Sequence, residues 1–219
     1  MSTPNSVNNP LRYDLTVIAS WIEPGSRVLD LGCGEGTLLS LLRDTKQVVG
    51  IGIEKNEAKA IACIEKGLTV LQGDISTEVK DYNDNAFDYI ILSQTLQQVY
   101  EPAQLLHRLL RIGRRVIVSF PNFSHWRSRL HLLVKGRAPK TEQLPYEWHN
   151  TPNIRVITIN DFRHFIKQEG CIIRREEAID THHHDTAGHR VRLFPNLLAT
   201  YAIFLLEKKL QAESSRRKA

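Results

Sequence analysis

A short apolar strand that runs straight into three glycines at alternate positions constrains this chain more than any other feature: residues 28–36 read V-L-D-L-G-C-G-E-G. Glycine alone takes positive φ without steric penalty and lets a ligand approach the main chain closely. Gly32, Gly34 and Gly36 therefore mark a loop shaped around something that touches backbone. A second apolar strand, residues 48–53, runs into Glu54. At about twenty residues beyond the loop, that is where α/β nucleotide binders place an acid to accept hydrogen bonds from ribose hydroxyls.

The spacing separates two kinds of ligand. Dinucleotide sites use G-x-G-x-x-G, whose helix N-terminus faces a pyrophosphate. Here the pattern is G-x-G-x-G preceded by Asp30. An acid at the strand end repels a pyrophosphate but suits a cationic amino acid moiety. The loop resembles motif I of the class I S-adenosylmethionine (SAM) methyltransferases, and the ordered acids Asp30, Glu54 and Asp74, each at a strand end, follow that family's spacing. The resemblance implies SAM, or its demethylated product S-adenosylhomocysteine, held by Asp30, Gly32, Cys33, Gly34, Gly36, Glu54, Lys55, Asp74, Ile75 and Ser93. The amino acid end is expected near Asp30 and the glycine loop, the ribose on Glu54 and adenine beside Asp74 and Ile75. Cys33 reads as a small packing residue inside the loop.

An alternating β and α rhythm surrounds these motifs. Helical spacing of Leu11, Leu15, Ile18 and Ile22 gives a helix over 11–22, stopped by Pro24-Gly25. Strands follow at 27–31, 48–53, 68–72, 87–92 and 116–120, the fourth a continuous apolar run suited to burial on both faces. Helices fall at 37–43, from the Asn56 cap to Lys66, and at 102–112 with Pro102 in the first turn. After a helix at 160–168, strands at 171–179 and 197–206, joined without a helix, imply an antiparallel hairpin. The expectation is a Rossmann-like, seven-stranded, mostly parallel sheet with one antiparallel edge strand and helices on both faces. One domain spans residues 11–206, flanked by a flexible arm at 1–10 and a polar, frayed tail at 207–219.

Residues 121–153 break the rhythm with four prolines, Trp126, Trp148 and the histidines 125, 131 and 149, and behave as an insertion. It is expected to cover the cofactor pocket and to carry the recognition surface, with Trp126 and Trp148 as candidate anchors or, more simply, packing residues. The stretches F-D-Y-I-I-L-S-Q-T-L-Q-Q-V (87–99), V-S-F-P-N-F-S-H-W-R-S-R-L (118–130) and L-P-Y-E-W-H-N-T-P-N-I (144–154) resemble the bacterial methionine-biosynthesis family MetW over roughly residues 11–206. That resemblance implies the methyltransferase fold and a partner, homoserine O-acyltransferase, that the family member supports or activates. It settles no methyl acceptor.

The remaining chemistry is open in the sequence. Methyl transfer from a sulfonium is mostly positioning, worth about 7–11 kcal/mol as effective molarity, so a dedicated base is optional. His125, His131 and His149 are the available bases for a small-molecule acceptor. Ser93-Gln94-Thr95-Leu96 stands where adenine methylases carry Asp/Asn-Pro-Pro-aromatic. Net charge +5, with arginines at 108, 111, 114, 115, 127 and 129, keeps an RNA substrate as an alternative, although no RNA-binding module is appended. His182, His183 and His184 suggest a metal only weakly, because neighbouring side chains point apart. Three cysteines without metal spacing, no apolar run of membrane-span length and a start lacking signal-peptide character point to a cytoplasmic protein with reduced thiols.

Overall fold

The computed structural model describes residues 11–182 and 185–209. The expected arm, His183, His184 and residues 210–219 of the expected tail lie outside the described residues. In chain order the elements are α1 (Tyr13–Trp21), β1 (Arg27–Leu31), α2 (Thr37–Lys46), β2 (Val49–Glu54), α3 (Glu57–Glu65), β3 (Thr69–Gln72), α4 (Ile75–Glu78), β4 (Phe87–Ser93), α5 (Pro102–Ile112), β5 (Gly113–Pro121), α6 (Trp126–Lys135), α7 (Ile159–Gln168), β6 (Cys171–Thr181), β7 (Gly188–Arg190), α8 (Pro195–Leu198) and β8 (Tyr201–Lys208). A single 3-10 turn, Leu96–Gln98, separates β4 from α5. Local signals act where the sequence puts them. Asn56 caps α3 by accepting from the Lys59 N–H, Thr158 caps α7 in the same way, and Pro102 opens α5.

The strands form one sheet in the order β3-β2-β1-β4-β5-β8-β6-β7. Strands β1 to β5 pair in parallel, and β8 runs antiparallel between β5 and β6. The α/β class is as expected, but the sheet has eight strands rather than seven. The addition is β7, three exposed residues paired with Ile179, Asp180 and Thr181 of β6, and a fully exposed strand announces itself by no apolar pattern. Two bounds also change. Residues 197 and 198, expected to open the last strand, fall instead in α8, whose first position suits Pro195 because it needs no N–H. Glu207 and Lys208, expected in the frayed tail, extend β8, where Glu207 meets Arg115 at 3.1 Å and Arg174 at 2.7 Å.

Strand alternation sends successive side chains to opposite faces and builds two cores. Val28, Tyr89, Ile91, Ile117 and Ile203 pack beneath α1 and α2, with Leu15, Ile18, Leu38 and Leu42 as their cover. Leu29, Ile90, Leu92, Val116, Val118 and Phe204 face α5 and α7, where Leu105, Leu109, Phe162 and Ile166 close over them. Phe120, Phe162 and Phe204 cluster with ring centroids 4.7–5.8 Å apart. Packing on both faces leaves only the strand ends free, and the loops at the C-terminal ends of β1, β2, β3 and β4 meet there.

Candidate functional site

Between β1 and β4 the chain reverses its direction of travel across the sheet, which is where open α/β sheets leave a crevice for ligands. A cavity of about 1080 Å³ occupies it. Nine of the ten residues expected to hold a cofactor line its wall: Asp30, Gly32, Cys33, Gly34, Glu54, Lys55, Asp74, Ile75 and Ser93. Gly36 does not. It caps α2 at φ +72°, and a Cβ there would lie 2.4 Å from Leu68 Cδ1 and 2.9 Å from Cys63 Sγ. The close packing of the loop against Cys63 and Leu68 by itself requires a glycine there.

The other two glycines behave differently from each other. At Gly32, φ is +75° and a Cβ would meet the Thr95 hydroxyl at 2.7 Å, so the loop lies directly against the β4 loop. At Gly34, φ is +57° and a Cβ would meet nothing within 4 Å, so this residue borders open space. The N–H groups of Gly32 and Cys33 both donate to the Ile53 carbonyl, at 2.8 and 3.2 Å. Glu54 then fastens the loop. Its Oε2 accepts from Gly34 N at 2.9 Å and its Oε1 from Asn56 N at 2.8 Å, and each oxygen retains further acceptor capacity toward the cavity.

Asp30 has a different environment. It is buried and lines the cavity, and its carboxyl makes no hydrogen bond among the described residues. Burial, and then the charge of Glu54, push its carboxyl up to about 7, against a smaller downward pull from Arg12. An unbonded acid facing a cavity is complementary to a cation. Asp74 is held below the usual carboxylate range, chiefly by the Ser76 N–H at 2.9 Å and further by Lys55 at 3.4 Å, so the rim opposite stays ionised. Cys33 fills the space over Gly52, where a Cβ would come within 2.5 Å of its sulfur, and lies 4.0 Å from Cys63 Sγ. Burial raises both thiols, which suits packing rather than reactivity.

Part of the wall was not legible in the sequence. Arg12 grips both oxygens of buried Asp14 at 3.0 and 2.9 Å, and Gln94 Nε2 donates to the same carboxylate at 2.9 Å. Gln94 holds φ +54° to do so, just beyond the end of β4. Because Asp14 and Gln94 stand 80 residues apart, no local pattern joins them. Gln98, Val99, Tyr100 and Arg108 complete the cavity on the α5 side.

The insertion is not where the sequence placed it: no residue of 121–153 lines the cavity. Asn122 explains the difference. Its side-chain amide donates to the carbonyls of Asn196 at 3.1 Å and Ala199 at 2.9 Å and accepts from Ser124 N at 3.2 Å and Ile159 N at 3.4 Å. The segment is thereby tied to the β8 side of the sheet. The candidate bases go with it. His125 is buried away from the cavity, with its basicity lowered by that burial, while His149 is exposed on the insertion and His131 also lies outside the cavity lining. Trp126 and Trp148 are 42% and 78% exposed, so neither is a core packing residue. His182 pairs with Glu142 at 2.7 Å, and the described residues contain no cluster of three groups able to hold a metal ion.

Residues 12–206 match the family described as "Methionine biosynthesis protein MetW". The chain belongs to that family. Among its relatives is a "Bifunctional methionine biosynthesis protein MetXA/MetW" of Rhodopirellula baltica, 36% identical over 91% of this chain and 33% of the relative, so this MetW-family chain spans about a third of that protein's length. A ubiquinone biosynthesis O-methyltransferase of Burkholderia thailandensis is 30% identical, with 82% of this chain and 81% of the relative covered. Solved structures show the fold. A SAM-dependent methyltransferase of Archaeoglobus fulgidus superposes with TM-score 0.65 at 16% identity, covering 89% of this chain and 91% of the other. The [4+2]-cyclase SpnF does so with TM-score 0.62 at 15% identity, covering 94% and 86%. Proteins of different chemistry thus share this MetW-family architecture, and the fold alone assigns no reaction.

Proposed function

We propose that this chain is a SAM-binding accessory protein of methionine biosynthesis that docks on homoserine O-acyltransferase and raises its activity, in a cytoplasmic, reducing setting. The observation that carries the cofactor half is Asp30, a buried, unbonded carboxyl in the cavity wall beside two glycines held at positive φ. SAM brings an ammonium, a sulfonium, a ribose diol and a flat base. In this reading Asp30 and the loop hold the amino acid end, the free acceptor positions of Glu54 take the ribose hydroxyls, and Asp74 with Ile75 flank adenine. Bound SAM would supply an electrophilic methyl group. The partner half rests on the fused relative named MetXA/MetW, since fusion keeps two modules at high effective concentration.

Methyl transfer to a small molecule remains the second reading, favoured by the ubiquinone O-methyltransferase relative. The position of the histidines weighs on the accessory side, because the bases offered by the sequence stand off the cavity. An RNA substrate receives no comparable support. The deciding experiment measures purified acyltransferase turnover with and without this chain, with and without SAM, alongside release of S-adenosylhomocysteine. Activation without S-adenosylhomocysteine release is the expected result. Turnover of SAM with no effect on the acyltransferase would reverse the assignment.

A further inference from the structure

Helix α6 buries only Ser128 of its ten residues, yet its sequence is not that of a solvated helix. Trp126, Leu130, Leu133 and Val134 recur at i, i+4, i+7 and i+8, which is a stripe of about 100° on one face of an α-helix. In a folded chain such a stripe normally faces the core. Here it faces outward: the four are 42%, 48%, 83% and 71% exposed. Helix formation itself is satisfied locally, with Gly136 at φ +59° closing the C-terminus, so the apolar stripe is not needed to make the helix.

A second exposed apolar feature adjoins it. Asn196 Nδ2 donates to Ser124 Oγ at 3.1 Å, bringing residues 193–198 beside the start of α6. Leu193 and Phe194 are each 74% exposed. Phe194 also takes φ +48°, a conformation that bulky side chains rarely adopt and that recurs where strain serves binding. The charges on the helix and the turn that follows it are basic, although Lys140 is paired with Glu147 at 2.8 Å. Residues 121–141 carry Arg127, Arg129, Lys135, Arg137 and Lys140 and no carboxylate.

We infer that Trp126, Leu130, Leu133 and Val134 of α6, together with Leu193 and Phe194, form the face on which homoserine O-acyltransferase docks, through an apolar groove rimmed by carboxylates. This rests on the accessory reading above. The occupant is argued from the fused relative and from the basic rim. Apolar anchors framed by basic residues are what a helix-in-groove contact with an acidic partner surface uses. The cavity has no lining residue from this face, so docking leaves the cofactor site free.

The test uses the full chain and purified homoserine O-acyltransferase from the same organism, with Leu133→Glu and Val134→Glu made separately. Both positions are largely exposed, so unchanged melting and unchanged SAM affinity serve as controls for folding, and either variant suffices if the other fails them. A buried charge at an interface centre lowers affinity by about 30-fold or more, and calorimetry should read that loss while SAM binding holds. Wild-type affinity retained by both variants overturns the assignment of this face. Failure of the wild type to bind the acyltransferase at all overturns the accessory reading instead. In that event, a dimer in sedimentation that Leu133→Glu dissolves, or wild-type partition onto anionic vesicles that the variant loses, gives the face to a second copy or to a membrane surface.

Discussion

Replacing Asp30 with asparagine separates the two roles the structure gives this residue. In the protein without ligand the carboxyl is pushed up to about 7 from an ordinary 3.8, so the folded state keeps a proton that the unfolded chain releases between those values. A folded pKa raised above the unfolded one means that stability falls as pH rises through that window. At 1.36 kcal/mol per unit the full interval is worth about 4 kcal/mol as an upper bound, and relaxation with water entry reduces this to about 2 kcal/mol. Asp30→Asn should therefore gain on the wild type in chemical denaturation between pH 5 and pH 8, by about 2 kcal/mol. Ligand binding has the opposite requirement. A cationic ligand needs the ionised acid, so binding releases a proton, and with an apo value near 7 wild-type SAM affinity should rise about tenfold from pH 6 to pH 8. Calorimetry at fixed ionic strength reads both the slope and the proton release. Asp30→Asn should bind more weakly at pH 8 and show no slope. A flat wild-type profile, or the same slope in the variant, would refute the argument that Asp30 faces the cation.

Glu54→Ala removes the acceptor from the ribose position and from the Gly34 and Asn56 N–H groups, so SAM affinity should drop at least tenfold, about 1.5–3 kcal/mol; an unchanged dissociation constant removes Glu54 from the site. Gly36→Ala, in contrast, should lower the melting temperature by several degrees through strain at φ +72° and the clash with Leu68, and reduce SAM affinity only as far as the loop shifts; equal melting would contradict the packing role. Asn122→Ala leaves the buried Ala199 carbonyl, the partly buried Asn196 carbonyl and two N–H groups to find new partners and should cost about 2–4 kcal/mol in denaturant titration, with proteolysis of residues 121–153 accelerated; a stability within 0.5 kcal/mol of wild type, roughly the range of a neutral surface change, would mean the insertion is held elsewhere.

The strand-to-helix turn, the acids at successive strand ends and the alternation of elements are local in the chain, because they follow from backbone freedom at glycine, apolar periodicity and capping within a few residues. That is why the parallel half of the sheet and the nine cavity-lining residues were legible without coordinates. The packing role of Gly36 was not legible, because a ligand contact and a close helix packing both demand a residue without Cβ, and only the tertiary structure brings Leu68 and Cys63 against it. The Arg12, Asp14 and Gln94 cluster and the anchoring of Asn122 join residues far apart in the chain, so no spacing rule reaches them, whereas β7 pairs with the nearby end of β6 and escapes notice because its three residues are all exposed. The same holds for α6. Its apolar stripe is visible in the sequence as helical periodicity, which ordinarily means burial, and whether that stripe meets the core or solvent is decided by the tether at Asn122 that swings the insertion toward β8 and away from the cavity.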